Sequence, residues 1–380
     1  MMIKVLHLVT GLNIGGAEIF LSRLVSRMDR NKFLCSVVSV TGAGPVGEMI
    51  KSAGIPVDSL EAGTGSAMAG GFVRLVRLLK KERPDVVQTW LYHSDLLGTL
   101  AARIAGKSPV IWNLRCSDLR PEDHPRSLFM VIKTLAWMSS MPKAVVVNSA
   151  AGKAAHERLG YTPKRWELIP NGFDVEMFRP DGSSRARIRN SLGLGEDSLI
   201  VGLVARYDPM KDHDNFLRAA AIVAGKYHNA RFILAGKGTD NNAAISEMIR
   251  HNGLEGKVFT LGERRDIHEV TAAFDIAVNS SYSEGFPNNI GEAMACGVPC
   301  VATRVGDVEE LMGDTGMTAP ARNPEAMAAA IGKLLEMEAS SRREMGAMAR
   351  KRVEERYSLA AVTTRYEQLY ERIAGTDVLR

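Results

Sequence analysis

No apolar run in this sequence is long enough to cross a membrane. The longest runs, such as 144–147 and 199–205, have the length of β-strands, whereas a spanning helix needs roughly 20 residues. Residues 1–9 lead straight into a glycine turn and lack the small-residue cleavage site of a secretory signal. We therefore expect the protein in the cytoplasm.

Cysteine is scarce, and its spacing does not fit a zinc site. The four cysteines are Cys35, Cys116, Cys296 and Cys300. The last two flank a helix-to-strand turn in apolar sequence, where buried, reduced thiols are expected rather than a disulfide. We predict neither a metal site nor a redox role.

Charge of one sign is not concentrated anywhere in the chain. The 48 basic and 43 acidic residues give a net charge of +5 on a mixed surface, and no basic arm stands out. This composition does not favour a nucleic-acid partner.

One local feature could still bind a membrane. Residues 72–83 form a helical pattern with an apolar stripe and a basic face, so peripheral contact with anionic lipid at the inner face of the cell membrane is one hypothesis. The favoured alternative is a crossover helix whose stripe packs on a sheet, because interfacial helices usually carry a larger apolar face.

Short Val/Ile/Leu runs alternate with helical patterns along the whole chain. Such repetition predicts α/β architecture with doubly wound parallel sheets, and 380 residues are too many for one core. The predicted strands of a first Rossmann-like unit are 4–9, 34–40, 86–88, 110–113 and 144–148. Those of a second unit are 199–205, 231–235, 258–261, 276–279 and 300–303. The joint is expected at 170–180, and the active site in a cleft between the units.

A nine-residue segment, Glu284 to Glu292, has two carboxylates around a turn rich in Gly, Pro and Asn. It follows a predicted buried strand and precedes a predicted helix, so its backbone amides lie beside a positive helix end that suits phosphate. Each carboxylate can accept hydrogen bonds from vicinal hydroxyls, on a sugar ring and on a ribose. A surface loop with two solvated acids is the alternative.

Two cations follow the predicted strand 199–205. Arg206 supplies a planar fork and Lys211 a point charge, so together they could hold a diphosphate. The adjacent Asp212-His213-Asp214 matches a metal-binding D-x-D string, but we interpret it as the start of a helix, where Asp is a good N-cap.

Glycines follow the first strand as well. The segment Gly11 to Gly16 lacks the G-x-G-x-x-G spacing of a dinucleotide fingerprint, although Gly15 and Gly16 would still let the backbone approach a ligand. A simple tight turn is the alternative.

These motifs, with Pro170-Asn-Gly-Phe-Asp174 between them, resemble in content and order the retaining glycosyltransferases of family 4, and the likeness covers nearly the whole chain. The resemblance implies the GT-B fold, with two Rossmann-like domains at 1–177 and 178–357 facing across a cleft. A tail helix within 358–380 would pack back on the first domain. It also implies a nucleoside diphosphate sugar as donor, UDP-sugar favoured and GDP-sugar second, without cofactor or metal.

The resemblance also assigns roles to residues. Arg206 and Lys211 would neutralise the leaving diphosphate, Glu284 would orient the donor sugar and Glu292 the ribose. Backbone groups would complete the donor site, at Gly15, Gly16, Gly236, Gly238, Arg264, Ile267, Gly285, Phe286, Pro287, Asn288 and Asn289.

The acceptor side has weaker signals. The family often has a histidine after a first-domain strand, but here strand 110–113 continues into Arg115, which could hold an acceptor phosphate. His93 could touch donor or acceptor, or be a packed structural residue. Segment 128–141, rich in Met, Trp and Leu, could host a lipid or glycan acceptor, or belong to the core.

We thus predict a sugar transferase of cell-surface polysaccharide assembly. A UDP-sugar epimerase of the same fold would use the same nucleotide site without an acceptor. A non-catalytic nucleotide-binding subunit of an assembly complex would bind without turnover, and a glycan phosphorylase would need a cofactor lysine for which the sequence has no specific signal.

Overall fold

The computed structural model describes residues 2–63, 66–106, 108–116 and 125–377. The chain divides into two units, one of residues 1–172 with 359–380 and one of residues 173–358. The change of unit, between Gly172 and Phe173, falls inside the predicted joint 170–180. The units are described one at a time.

The first unit is built on a parallel sheet of seven strands. They are β1 (Ile3–Val9), β2 (Phe33–Ser39), β3 (Val57–Ser59), β4 (Val86–Trp90), β5 (Val110–Leu114), β6 (Ala144–Val147) and β7 (Trp166–Leu168). Their order, β3-β2-β1-β4-β5-β6-β7, reverses direction at β1, as in a doubly wound sheet. The short strands β3 and β7 were not predicted.

Helices connect these strands and cover both faces of the sheet. They are α1 (Gly16–Arg27), α2 (Gly44–Ser52), α3 (Ser66–Glu82), α4 (Tyr92–Ala105), α5 (Arg126–Met138) and α6 (Ala150–Arg158). Helix α1 buries an apolar face, for example Leu21 and Leu24. Helix α3 buries Leu75 and Leu79 on the sheet and exposes its basic residues, so it is the crossover helix that we favoured.

The second unit has a parallel sheet of six strands. They are β8 (Leu199–Val204), β9 (Ala230–Ala235), β10 (Val258–Thr260), β11 (Ile276–Asn279), β12 (Cys300–Thr303) and β13 (Gly316–Ala319), in the order β10-β9-β8-β11-β12-β13. Five were predicted from sequence, and β13 was not. Because β9, β8 and β11 are neighbours, the loops at their carboxyl ends lie together.

The helices of the second unit pack on two apolar clusters, one on each face of its sheet. They are α7 (Gly182–Ser191), α8 (His213–Lys226), α9 (Ala243–His251), α10 (Ile267–Ala272), α11 (Asn288–Ala295), α12 (Val308–Met312), α13 (Pro324–Glu336) and α14 (Ala339–Arg356). Cys296 and Cys300 are buried free thiols rather than a disulfide, as predicted, and burial raises the pKa of the Cys296 thiol to about 12.

The last helix, α15 (Leu359–Asp377), belongs to the first unit. Its buried Tyr366 and Tyr370 pack with residues of α1, β1 and β4. The chain therefore returns to its first unit, as the resemblance implied. Among the described residues, no helix combines the length and the apolar character needed to span a bilayer.

Candidate active site

Glu284 lies at the centre of a polar network at the carboxyl end of β11. Its Oε1 accepts hydrogen bonds from Lys211 Nζ at 2.6 Å, Ser281 Oγ at 2.7 Å and Asn279 Nδ2 at 3.3 Å. The Glu284 side chain is 11% exposed and that of Lys211 23%. The pair is therefore a largely buried, charge-assisted contact held by neutral donors. Within the described residues, Glu284 Oε2 accepts no hydrogen bond.

The loop after β8 is fixed to the loop after β11 through backbone groups. Ser280 Oγ donates to the Lys211 carbonyl at 2.7 Å, and the Tyr282 amide donates to the Met210 carbonyl at 3.0 Å. A single 3₁₀ turn, Pro209–Lys211, shapes the loop between its ends. These bonds place Lys211 beside Glu284 although 73 positions separate them in sequence.

Arg206 follows β8 and points toward solvent, with 62% of its side chain exposed. Its Nε and Nη2 both donate to Asp208 Oδ2, at 3.1 and 2.7 Å. Partial burial raises the pKa of Asp208, but the hydrogen bonds from Arg206 and Met210 outweigh it, so this pKa lies below its ordinary value. The Asp208 carboxylate orients the guanidinium group of Arg206 and leaves other N–H groups of that guanidinium exposed.

Two glycines permit the close approach of neighbouring loops here. Gly236, after β9, has φ +145°, and a Cβ on it would lie 2.2 Å from the Ala205 carbonyl oxygen. Gly306, after β12, has φ +55°, and a Cβ on it would lie 2.3 Å from the Glu284 carbonyl oxygen. Sequence inspection identified Gly236 but missed Gly306, because only the fold brings it to Glu284.

The predicted turn 285–289 leads into α11, whose N-cap is Pro287. The Asn289 side-chain oxygen accepts from Asn279 Nδ2 at 2.9 Å, so the helix start belongs to the Glu284 network. Phe286 is buried and stacks on Phe173 with ring centroids 6.0 Å apart. Its side chain is therefore a core group, so the predicted donor contact, which stays a prediction, would use only its backbone. Glu292 is half-buried on the same helix.

Other predicted donor-site residues, Gly238, Arg264 and Ile267, follow β9 and β10. Gly238 has φ +78° beside Tyr207. Arg264 donates to both carboxylate oxygens of Asp266, just before α10 begins at Ile267. These residues lie at the same end of the sheet as Gly236, the carboxyl ends of the strands, because β9 and β10 pair in parallel.

The D-x-D string does serve as a helix start. Asp212 is the N-cap of α8, and its side chain accepts from the Asn215 amide at 3.2 Å. Asp214 pairs with Arg218 one turn later at 3.8 Å. In the part of the chain that the structure describes, no three His, Cys, Asp or Glu residues are grouped as metal ligands.

The glycine turn of the first unit lies at the carboxyl end of β1. Gly15 is the N-cap of α1, and a Cβ there would lie 2.3 Å from Glu18 Oε2. Gly16 faces open space. Burial raises the pKa of Glu18, and its own backbone hydrogen bond and Arg115 act against that rise.

Arg115 is bonded within the first unit. Its guanidinium lies 4.0 Å from the Phe20 ring centroid and donates to Tyr366 Oη at 3.3 Å and to the Asn171 side chain. Burial lowers its pKa, and Tyr366 and Glu18 raise it. Arg115 therefore braces α1, β5 and α15, and an acceptor phosphate could use only its remaining N–H groups.

His93 is exposed on the first turn of α4, so it is not a packed structural residue. The neighbouring side chains of that turn, Tyr92, Ser94 and Asp95, are buried. Its exposed position keeps contact with a substrate as a prediction.

Both halves of the sequence match models of glycosyltransferase families. Residues 14–177 match Glycosyltransferase Family 4, and residues 198–337 match Glycosyl transferases group 1. The chain belongs to the family 4 glycosyltransferases. The first matched segment lies in the first unit up to Gly172 and extends five residues into the second. The other matched segment lies within the second unit and contains Arg206, Lys211, Glu284 and Glu292.

Curated relatives agree with this assignment. The chain is 29% identical over 303 residues to EpsF of Bacillus subtilis strain 168, whose name places it among the glycosyltransferases, with 78% of each protein covered. It is 27% identical over 237 residues to the Escherichia coli UDP-Gal:alpha-D-GlcNAc-diphosphoundecaprenol alpha-1,3-galactosyltransferase, with 61% of each covered.

The fold is shared with solved structures. HepE of Anabaena, crystallised with UDP, superposes with a TM-score of 0.85 at 23% identity, covering 97% of this chain and all of HepE. The family 4 enzyme described here thus has the GT-B fold that the resemblance implied.

Proposed function

We propose that the enzyme transfers a hexose-type sugar, with retention of anomeric configuration, from a nucleoside diphosphate sugar to a hydroxyl of a lipid-linked or glycan acceptor in cell-surface polysaccharide assembly. The contact between Lys211 and Glu284 carries the proposal. It holds a cation and a carboxylate side by side at the carboxyl ends of parallel strands, where such folds bind their ligands.

The two residues would bind the two halves of the donor. A lysine ammonium has three donors, and Lys211 gives one to Glu284. The others are left for diphosphate oxygens, while Glu284 Oε2 is left for a hydroxyl of the transferred sugar. The ion pair would therefore fix the sugar relative to its leaving group.

Arg206 would add charge where the reaction needs it. Negative charge builds up on the diphosphate as the glycosidic bond breaks, and fixed cations stabilise that charge most in the transition state. The exposed fork of Arg206, oriented by Asp208, is suited to phosphate oxygens. Glu292 would orient the ribose, and a leaving phosphate oxygen would take the acceptor proton on the same face of the sugar.

Two named relatives support the finer assignments. The E. coli relative is named as a UDP-Gal enzyme, and HepE was crystallised with UDP, which favours a UDP-sugar over a GDP-sugar. The acceptor in the E. coli name carries diphosphoundecaprenol, which favours a lipid-linked acceptor and peripheral contact with the inner face of the cell membrane. We assign no cofactor.

Calorimetric titration tests the nucleotide site first. UDP, GDP, ADP and CMP would be titrated into protein treated with a chelator, and into the Glu292→Gln variant. We expect UDP to bind most tightly and the variant to bind it about tenfold more weakly, since one charge-assisted contact with the ribose is weakened. Equal affinity in the variant would contradict the role of Glu292.

Product analysis tests the reaction. Nuclear magnetic resonance of the product with a UDP-sugar and acceptor should show the anomeric configuration of the donor. Release of an isomerised UDP-sugar without acceptor would instead identify an epimerase. Nucleotide binding with neither transfer nor slow donor hydrolysis would identify a non-catalytic subunit.

A further inference from the structure

The outward face of α5 carries large apolar side chains between basic ones. Met130 is 69% exposed and Trp137 is 84% exposed, whereas Ile132 and Leu135 on the opposite face are buried. Arg126, Met130, Lys133 and Trp137 recur at spacings of three and four, so they form one outward stripe, here called the α5 stripe. A helix with apolar residues on both faces normally has both of them covered.

The neighbouring helix extends this surface. Helices α4 and α5 pack side by side on the same core cluster. The outward face of α4 exposes Leu100 at 39% and Ile104 at 57%, next to the exposed Arg103. Apolar and basic side chains are therefore mixed across both helices.

A basic cavity opens beside the carboxyl ends of these two helices. Its volume is about 700 Å³, and Arg103, Lys143 and Lys164 line it together with Ser140 and Met141. None of the described residues that line it is acidic. It lies where β5 and β6 begin, at the end of the strands opposite the glycine turn of Gly15, so it is separate from that turn.

We propose that the α5 stripe, the outward face of α4 and the basic cavity together dock on an anionic lipid bilayer. Trp and Met would enter the interfacial region, and the cations would meet lipid phosphates. Helices α4 and α5 contain one acidic residue, Asp95, which is buried, so the charge of the surface matches an anionic partner. A second copy of the chain fits less well, because a two-fold contact would set this basic surface, whose two helices expose no acidic side chain, against itself.

The inference deepens the proposed function, on whose lipid-linked acceptor it rests, and it changes where the membrane contact lies. In the sequence, membrane contact of the basic helix α3 was one hypothesis and a crossover helix the favoured one, and α3 does bury its apolar stripe, whereas α5 exposes one. Docking through α5 would hold the enzyme at the surface where a lipid-linked acceptor is present.

Vesicle flotation tests the proposal with the full chain. We expect the protein to float with vesicles of equimolar phosphatidylglycerol and phosphatidylcholine, and to bind phosphatidylcholine alone at least about tenfold more weakly. The double variant Met130→Ser/Trp137→Ser should lose about tenfold or more in partitioning. Its matched control, Ile222→Ser/Met348→Ser, changes side chains that are 48% and 55% exposed in the second unit and should float like the wild type.

A second pair of variants tests the cavity. Arg103→Gln/Lys164→Gln should remove most of the preference for phosphatidylglycerol, about tenfold or more, because each basic residue near an anionic surface adds to binding. Wild-type flotation of both double variants would overturn the proposal. Failure of the wild-type protein to float would also overturn it. If the wild type then forms a dimer in solution that Met130→Ser/Trp137→Ser abolishes, the surface is a site of self-association.

Tryptophan fluorescence gives an independent signal. Of the four tryptophans, Trp90 and Trp112 are fully buried and Trp166 is half-buried, so vesicle binding should shift chiefly the emission of Trp137 to the blue. Trp137→Phe should abolish that shift, and a shift that persists would contradict insertion of Trp137. Titration of UDP into the double variants distinguishes the docking proposal from the proposed function. A double variant that no longer floats but binds UDP like the wild type has lost membrane docking alone.

Discussion

Gly291 packs against the ring of Phe173 so closely that a Cβ at position 291 would lie 1.9 Å from Cζ. Phe173 belongs to the mid-chain Pro-Asn-Gly-Phe-Asp motif, and Gly291 lies on α11, one residue before Glu292. The ring of Phe173 therefore sets the position of the helix that carries the proposed ribose ligand. Two motifs that looked independent in the sequence form one packed contact.

Gly291→Ala should consequently destabilise the protein and displace Glu292. We expect a loss of about 1–3 kcal/mol, the usual cost of overpacking, together with weaker UDP binding. Thermal unfolding and calorimetry measure the two effects. Gly225→Ala is the matched control, because Gly225 lies on α8 with open space around it, and the change should stabilise the helix by up to about 1 kcal/mol. Equal melting temperatures for the two variants would refute the contact.

Lys211→Met should lower catalysis, and it should also lower stability, because the largely buried Glu284 carboxylate loses its cationic partner. Loss of one fixed charge at the leaving group typically costs about 10²–10³ in kcat. The rate of sugar transfer, or of slow hydrolysis of the UDP-sugar, measures the effect. Lys226→Met serves as the control, because Lys226 also pairs with a glutamate, at 2.5 Å, but is 68% exposed on α8. Unchanged turnover in Lys211→Met would remove Lys211 from the site.

Gly306→Ala should disturb the turn of Glu284. The substitution combines a positive φ with a close approach to the Glu284 carbonyl, so both turnover and stability should fall. Gly253→Ala isolates the effect of the positive φ, because Gly253 has a similar φ of +63° but open space around it. We expect the control to lose about 1–2 kcal/mol of stability and to keep full activity, by unfolding and rate measurements. Full activity in Gly306→Ala would show that the turn tolerates displacement.

His7 should make the folded state less stable in acid. Burial lowers the pKa of His7 from 6.5 to about 3. Between those values the unfolded chain binds a proton that the folded chain does not, so the free energy of unfolding falls as pH decreases through this window. The slope is at most about 1.4 kcal/mol per pH unit for one histidine. Burial lowers the pKa values of His156 and His213 to about 4, which adds to the same trend.

Denaturant unfolding between pH about 7 and 5 measures this dependence. His7→Gln should reduce the slope of the free energy of unfolding against pH. Trp90→Phe is the control, because it removes the indole that donates to His7 Nδ1 at 3.3 Å but keeps the titrating ring, so it should lower stability and retain the slope. An unchanged slope in His7→Gln would assign the effect to other groups.

Much of the fold followed from local patterns. Interior strands such as β6 and β8 are continuous apolar runs because both faces of a parallel sheet are covered, and such runs are visible in a sequence. The missed strands β3, β7 and β13 lie at sheet edges, where short, half-buried segments leave no comparable pattern. The N-cap role of Asp212 was also predictable, since capping depends on neighbours in the chain.

The sequence by itself determined the family and the alternation of strands and helices, and it contains the charged groups of the proposed donor site in recognisable motifs, because motifs and hydrophobic periodicity are local. Only the tertiary structure decided that Lys211 bonds to Glu284, that Gly306 and Gly291 must be glycines, that Phe286 is a core residue and that Trp137 is exposed. Each of these depends on contacts between distant segments or on which face of a helix is covered, and such contacts arise only when the sheets bring those segments together.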